Sequence, residues 1–151
     1  MTIELTTADV PQEDDLNKVR LVVGSIGPDR QDTLSIAEHS GVSRRHVGYA
    51  INAALVLGFI AEGPDRLETT EQGGKLLKLA AGSAEERSLL RAALEASPAL
   101  RTLAPGLLGA TSPSRVQLGA RIREATGLSK STAERRAQAL LSWRRQIIAT
   151  R

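Results

Sequence analysis

Apolar residues recur every three or four positions along most of the chain, the spacing at which side chains share one face of an α-helix. The first run, from Leu16 to Ile26, predicts a helix that ends at a Gly-Pro pair. A second, short helix is predicted from about Thr33 to Gly41. A third is predicted to follow Ser43, a residue type that favours the N-cap position, and to end at Gly58.

Two four-residue runs, FIAE and LETT, follow the third helix and flank the turn sequence GPDR. Strand-forming runs around a Pro-Asp turn predict a small β-hairpin. Another helix is predicted to begin near Thr70. The resulting order of helix, helix, turn, helix, hairpin and helix is that of a winged helix, in which the hairpin is the wing.

The remainder of the chain also has helical periodicity, interrupted by a loop-rich stretch. A helix is predicted from Ala84 to Ala96, and three prolines in residues 97–114 exclude a long continuous helix there. A further helix is predicted over Val116 to Ala125. A long helix is then expected from Ser131 to about Trp143, with Ser131 and Glu134 forming a capping box at its start.

These patterns divide the chain into three parts with different charge. Residues 1–12 have no apolar period and predict a flexible arm, residues 13–82 a winged helix-turn-helix domain, and residues 83–151 a second, basic helix-turn-helix domain. Residues 1–86 hold 8 Lys and Arg against 14 Asp and Glu, whereas residues 87–151 hold 12 against 3. The basic second half favours a polyanionic partner, with nucleic acid first.

One sequence pattern occurs twice, 86 positions apart, as GVSRRHVGYAINAALVL at 41–57 and GLSKSTAERRAQALLSW at 127–143. Only four of the 17 aligned positions are identical, but each copy has Gly, an apolar residue, Ser and then a helix with an apolar face and a polar, basic face. A helix-turn-helix needs this pattern, because Gly adopts the left-handed conformation of the tight turn and the next apolar residue packs between the helices.

The first copy resembles the winged helix-turn-helix domains of bacterial regulators of the MarR and ArsR kind, through IAEHSGVSRRHVGYAI and FIAEGPDRLETTEQGGKLL. In those families the join between wing and helix often reads Leu-Thr-x-x-Gly, and Thr70 and Gly73 are similar. The resemblance covers about residues 16–80. The second copy matches only the helix-turn-helix core, residues 115–143, without a recognisable wing.

The resemblance implies that each copy places a recognition helix in the major groove of DNA, with its first turns leading. The candidate DNA-binding residues of the first copy are Ser43, Arg44, Arg45, His46, Tyr49 and Asn52, with Arg66 at the wing tip. Those of the second copy are Ser129, Lys130, Ser131, Thr132, Arg135, Arg136 and Gln138. Arg pairs with guanine and Asn or Gln with adenine, whereas Ser, Thr and Lys more often bind phosphates. Five further arginines are expected to extend the basic surface: Arg115, Arg121, Arg123, Arg144 and Arg145.

Composition argues against several other classes of protein. The chain has no cysteine and only two histidines, His39 and His46, so neither thiol chemistry nor a conventional metal site is expected. No nucleophile-base pair or phosphate-binding loop is recognisable, so we expect a non-enzyme without a cofactor. The acidic first residues lack a signal-peptide pattern and no apolar run approaches 18 residues, which predicts a cytoplasmic protein without membrane association.

The favoured function is therefore sequence-specific binding of double-stranded DNA through two recognition helices in cis, as in a transcriptional regulator, with a homodimer as one arrangement. An alternative is a protein-protein interaction or architectural subunit, similar to the tandem winged-helix accessory subunits of chromosome-organising complexes. Such a subunit would dock a partner through the acidic first copy and the apolar loop LAPGLLGA at 103–110, although the pI of 9.8 counts against it. The third hypothesis is a DNA-reading component of a restriction, phage or plasmid system.

Overall fold

Two helix-turn-helix units make up the computed structural model, which describes residues 10–148. The first unit contains α1 (Leu16–Ser25), α2 (Thr33–Ser40), α3 (Arg44–Leu57), β1 (Ile60–Glu62), β2 (Leu67–Thr69) and α4 (Glu71–Lys78). The second unit contains α5 (Ala84–Ala96), α6 (Pro98–Leu103), α7 (Arg115–Thr126) and α8 (Lys130–Ile148). The prediction of a mainly helical fold with a small hairpin wing is confirmed.

The two helix-turn-helix turns have the same backbone geometry. Gly41 ends α2 with φ of 79°, and Gly127 ends α7 with φ of 77°. In each turn the glycine amide donates to the carbonyl of the residue four positions earlier, over 2.9 Å and 2.8 Å. A residue with a side chain is strained at such a positive φ, so glycine is the residue that lets both helices end this sharply.

Serine caps the helix that follows each turn. The Ser43 hydroxyl accepts a hydrogen bond from the backbone N–H of His46, and the Ser129 hydroxyl accepts one from that of Thr132. The predicted capping box at Ser131 is therefore wrong, because Ser131 already lies inside the helix and Ser129 occupies the capping position. Both serines precede the helix by one residue, as the repeat predicts.

Helix α8 also continues beyond its predicted end near Trp143. Its apolar face runs through Leu140, Trp143 and Ile147, all of them buried, so the helix remains packed against the core for another turn. The additional turn allows α8 to contact the first unit as well as its own, through Gln146 and the Leu16 amide.

The wing is a two-stranded antiparallel hairpin that is joined tightly to α4. Ile60 pairs with Thr69 at its base, and the Gly63 amide donates to the Arg66 carbonyl across its turn over 2.7 Å. At the join to α4, the Thr70 hydroxyl donates to the Gly58 carbonyl over 2.6 Å and caps α4 by accepting from the Gly73 amide. The wing is thus fixed to the first helix-turn-helix through α4.

Within residues 10–148, buried side chains from both units belong to one hydrophobic cluster. Phe59 and Ile36 contribute from the first unit, and Trp143, Leu100 and Ile122 from the second. The hydrophobic core is therefore continuous across the predicted domain boundary at residues 82 and 83.

A charged contact also crosses this boundary. Arg20 on α1 pairs with Glu86 on α5 over 2.6 Å and donates to the Leu79 carbonyl at the end of α4. Both charged side chains are largely buried, which makes the pair less sensitive to solvent screening than a surface pair.

The wing join supplies a test of the fold. A Cβ atom on Gly73 would lie 2.1 Å from the Phe59 carbonyl oxygen, so Gly73→Ala must displace backbone and is expected to destabilise the protein by at least about 2 kcal/mol. Gly74→Ala, in the same helix with open space around the new atom, is the control and should stabilise by up to about 1 kcal/mol. Urea unfolding followed by Trp143 fluorescence measures both, and equal effects of the two substitutions would contradict the packing described for the wing.

Candidate nucleic-acid interface

The residues before α1, Val10 to Asp15, pack between the two units and are called here the linking segment. Val10 and Glu13 are fully buried. The sequence predicts a flexible arm over residues 1–12, but at its end the side chains of Val10 and Pro11 are buried against the folded body and Arg136 binds the Val10 carbonyl. Residues 1–9 of the predicted arm lie outside the described residues.

Glu13 contacts the helix that follows each turn. Its carboxylate oxygen Oε1 lies 2.9 Å from Nδ1 of His46 on α3, and Oε2 accepts from the Asp15 amide. Its backbone carbonyl accepts a hydrogen bond of 2.7 Å from the indole N–H of Trp143 on α8. A single buried residue thus joins α3 to α8.

Further side chains of α8 bind the backbone of the linking segment. Arg136 donates to the Val10 carbonyl over 3.3 Å, and Gln146 donates to the Asp14 carbonyl over 2.7 Å while accepting from the Leu16 amide over 2.9 Å. Ser142 also donates to the Asp14 carbonyl. Because these bonds satisfy backbone groups at both ends of the segment, its path along α8 is well defined.

The first turns of α3 and α8 line a common cleft of about 250 Å³, called here the inter-helix cleft. Its lining residues are Gln12, Arg45, His46, Tyr49, Thr132, Arg135 and Arg136. Six of these seven were predicted as DNA-binding residues from the sequence, three from each copy. Gln12 was missed, because it lies in a segment without any periodic signal.

Arginine side chains give the walls of the cleft positive charge, and a hydrogen bond holds one of them, Arg45, in place. Arg45 Nε donates to the Tyr49 hydroxyl over 3.1 Å, and this hydrogen bond raises the pKa of Arg45. Partial burial is the main cause that lowers the pKa of Arg136, and repulsion from Arg135 lowers it further. None of the described residues that line the cleft carries a carboxylate, and the Glu13 carboxylate that binds His46 is fully buried. This arrangement attracts an anion.

The other predicted site residues lie outside the cleft lining. Six of them are exposed: Ser43 and Ser129 at the helix caps, Arg44, Lys130 and Ser131 in the first turns, and Gln138 in the third turn of α8. Asn52 is half-buried on α3. Arg66 is exposed at the wing turn, where its Nε lies 3.8 Å from Glu68 Oε1.

Two of the arginines expected to extend the basic surface instead bind backbone carbonyls at the end of α6 and in the loop that follows it. Arg144 donates to the carbonyls of Leu107 and Gly109 over 2.8 Å and 2.7 Å. Arg121 donates to the carbonyls of Leu103 and Thr102 over 3.0 Å and 2.9 Å. Their guanidinium donors stabilise the fold, and the sequence could not show this because the acceptors are backbone carbonyls 18 to 37 positions away.

Comparison of the chain with known protein families, with curated proteins and with solved structures finds no match. Across residues 10–148, no helix combines the length and hydrophobicity that crossing a bilayer requires. In the same part of the chain, no group of three or more His, Asp or Glu side chains is placed to hold a metal ion.

The linking segment supplies a second test. Val10→Ala removes two buried methyl groups and is expected to reduce the free energy of unfolding by about 2 kcal/mol. Val116→Ala removes the same atoms from an exposed position on α7, where Val116 is 60% exposed, and should change stability by less than about 0.5 kcal/mol. A Val10→Ala protein as stable as the parent would mean that residue 10 is not packed.

Proposed function

We propose that the chain is a non-catalytic, cytoplasmic protein that binds double-stranded DNA in a sequence-specific manner and regulates transcription. The observation that carries this proposal is the inter-helix cleft, where the helices that follow two helix-turn-helix turns bring Arg45 and Arg135 to one exposed surface. Winged helix-turn-helix regulators of the MarR and ArsR kind, which the first unit resembles, use the helix at this position to read DNA.

The shape of these helices supports a duplex as the partner. An α-helix with its side chains is about 10–12 Å wide and fits the major groove, which is about 12 Å wide. The first turn of α3 exposes Arg44 and Arg45, and α8 exposes Lys130 in its first turn and Gln138 in its third. Such side chains can bind base edges and phosphates together, which is the combination that sequence-specific binding needs.

A partner-docking subunit is the second candidate, and part of its support is lost. The loop LAPGLLGA was expected to offer apolar side chains to a partner, but Leu103, Leu107 and Leu108 are buried in the core of this chain. The basic surface at the cleft is better suited to a polyanion than to an apolar helix. A role within a restriction, phage or plasmid system would use the same DNA-binding surface.

Fluorescence anisotropy with labelled duplexes across a salt series tests the proposed function. Wild-type protein should bind more weakly as salt rises, and the variants Arg44→Ala/Arg45→Ala and Lys130→Ala/Arg135→Ala should each lose at least about tenfold in affinity, with a salt slope smaller by about 2. A preferred sequence should emerge from selection among random duplexes.

The matched control is Lys75→Ala/Lys78→Ala, which removes two exposed positive charges from α4 and should retain most of the affinity. Circular dichroism of each variant establishes that it is folded. Absence of duplex binding at low salt, or equal losses in the control and the two test variants, would contradict the proposal.

A further inference from the structure

The relative position of α3 and α8 limits how this protein can approach DNA. Both helices line the same cleft of about 250 Å³, and Glu13 is bonded to His46 on α3 and to Trp143 on α8. The two helices therefore form opposite walls of one small cleft and are joined through the buried Glu13. Helix-turn-helix units that read two half-sites of a duplex lie about 34 Å apart, or a multiple of that distance, so α3 and α8 cannot occupy successive major grooves.

The two helices also cannot share one major groove. The groove is about 12 Å wide and admits a single helix, and the minor groove, about 6 Å wide, is too narrow for either. When one helix lies in the major groove, a neighbouring helix that also contacts the duplex lies over the sugar-phosphate backbone that borders that groove. The inter-helix cleft then faces the backbone.

We propose that α3 and α8 act as one composite DNA-binding unit, in which the inter-helix cleft binds a single backbone phosphate between Arg45 and Arg135 while only one of the helices enters the major groove. This inference rests on the proposed function and replaces the expectation that the two recognition helices read two grooves.

The chemistry of the cleft fits a phosphate. Arg45 on α3 and Arg135 on α8 are exposed and line the cleft from its two helices, so they can donate to different oxygens of one tetrahedral anion. The hydroxyls of Tyr49 and Thr132 also line the cleft and add two potential donors. A DNA phosphodiester and inorganic phosphate share this chemistry, and the experiment must separate them.

Arg45 is positioned before any anion arrives. The Arg45 guanidinium is bonded to the Tyr49 hydroxyl and lies 5.9 Å from the centre of its ring, and the Tyr49 ring in turn packs edge-on against His46 at 5.6 Å. His46 is bonded to Glu13, so the linking segment supports this wall of the cleft. Such support reduces the conformational entropy that binding would otherwise lose.

A double-mutant cycle tests whether Arg45 and Arg135 bind the same phosphate. Arg45→Ala and Arg135→Ala should each weaken duplex binding at least about fivefold, and the double variant should lose less than the product of the two losses, because either substitution already displaces the shared phosphate. The control cycle, Arg44→Ala with Lys130→Ala, uses exposed residues outside the cleft lining and should be multiplicative. Multiplicative losses for Arg45 and Arg135 would overturn the shared phosphate.

A series of duplex lengths tests the composite unit independently. One groove with its flanking phosphates extends over about one and a half turns, so the affinity per site should reach its plateau by about 15 base pairs. Reading of two grooves would require more than about 20 base pairs, and a plateau reached only at that length by a protein monomer would overturn the inference.

Titration with inorganic phosphate, followed by NMR of the arginine side chains, separates failure of the cleft from failure of the proposed function. Saturable binding by the wild type that Arg45→Ala/Arg135→Ala loses supports the cleft as a phosphate site, even when no duplex is bound. Equal phosphate responses of the two proteins would overturn the site. Displacement of phosphate by a 15-base-pair duplex identifies the DNA backbone as the source, and retention of phosphate with duplex bound would overturn that assignment.

Discussion

The pair of contacts made by Glu13 is the constraint on which the rest of this structure depends. The carboxylate is bound by His46 on α3 and the backbone carbonyl by Trp143 on α8, both at a residue without solvent exposure. Hydrogen bonds of this kind contribute about 0.5–3 kcal/mol each, and their loss leaves a costly unsatisfied buried group. These bonds therefore favour one arrangement of the two helices, and that arrangement creates the cationic cleft.

The two units share one helix-turn-helix pattern and differ in the residues at which they contact each other. Ile36 and Ile122 occupy equivalent positions 86 residues apart and are both fully buried, as the repeat requires. Leu57 of the first unit corresponds to Trp143 of the second. The larger indole supplies both apolar volume and the N–H that binds the Glu13 carbonyl, which a leucine could not provide. The second copy thereby contributes to a joint core as well as to its own helix pair.

Local features of the fold could be predicted from the sequence because short-range physics determines them. The glycine turn at Gly41, the cap at Ser43 and the wing hairpin each depend on neighbouring residues and were found where expected. The start of α8 was misplaced because Ser129 and Ser131 both suit a capping position, and propensity alone does not choose between them.

The site could be predicted only in part, for a different reason. The exposed faces of α3 and α8 follow from helical periodicity, and the resemblance described for the first copy led from those faces to six residues of the cleft lining. Their juxtaposition depends on contacts between residues about 130 positions apart, such as Glu13 with Trp143, and the linking segment has no apolar period that would reveal them. Periodicity shows which face a residue occupies, but the partner of that face is a property of the tertiary structure.

The most direct test of this account is the distance distribution between α3 and α8 in solution. The chain has no cysteine, so spin labels can be attached specifically to Gly48→Cys and Gln138→Cys, two exposed positions on these helices. Pulsed dipolar electron resonance of the doubly labelled protein should give a single narrow distribution, as helices joined through Glu13 require. A broad distribution, as from two units that reorient independently, would contradict the account.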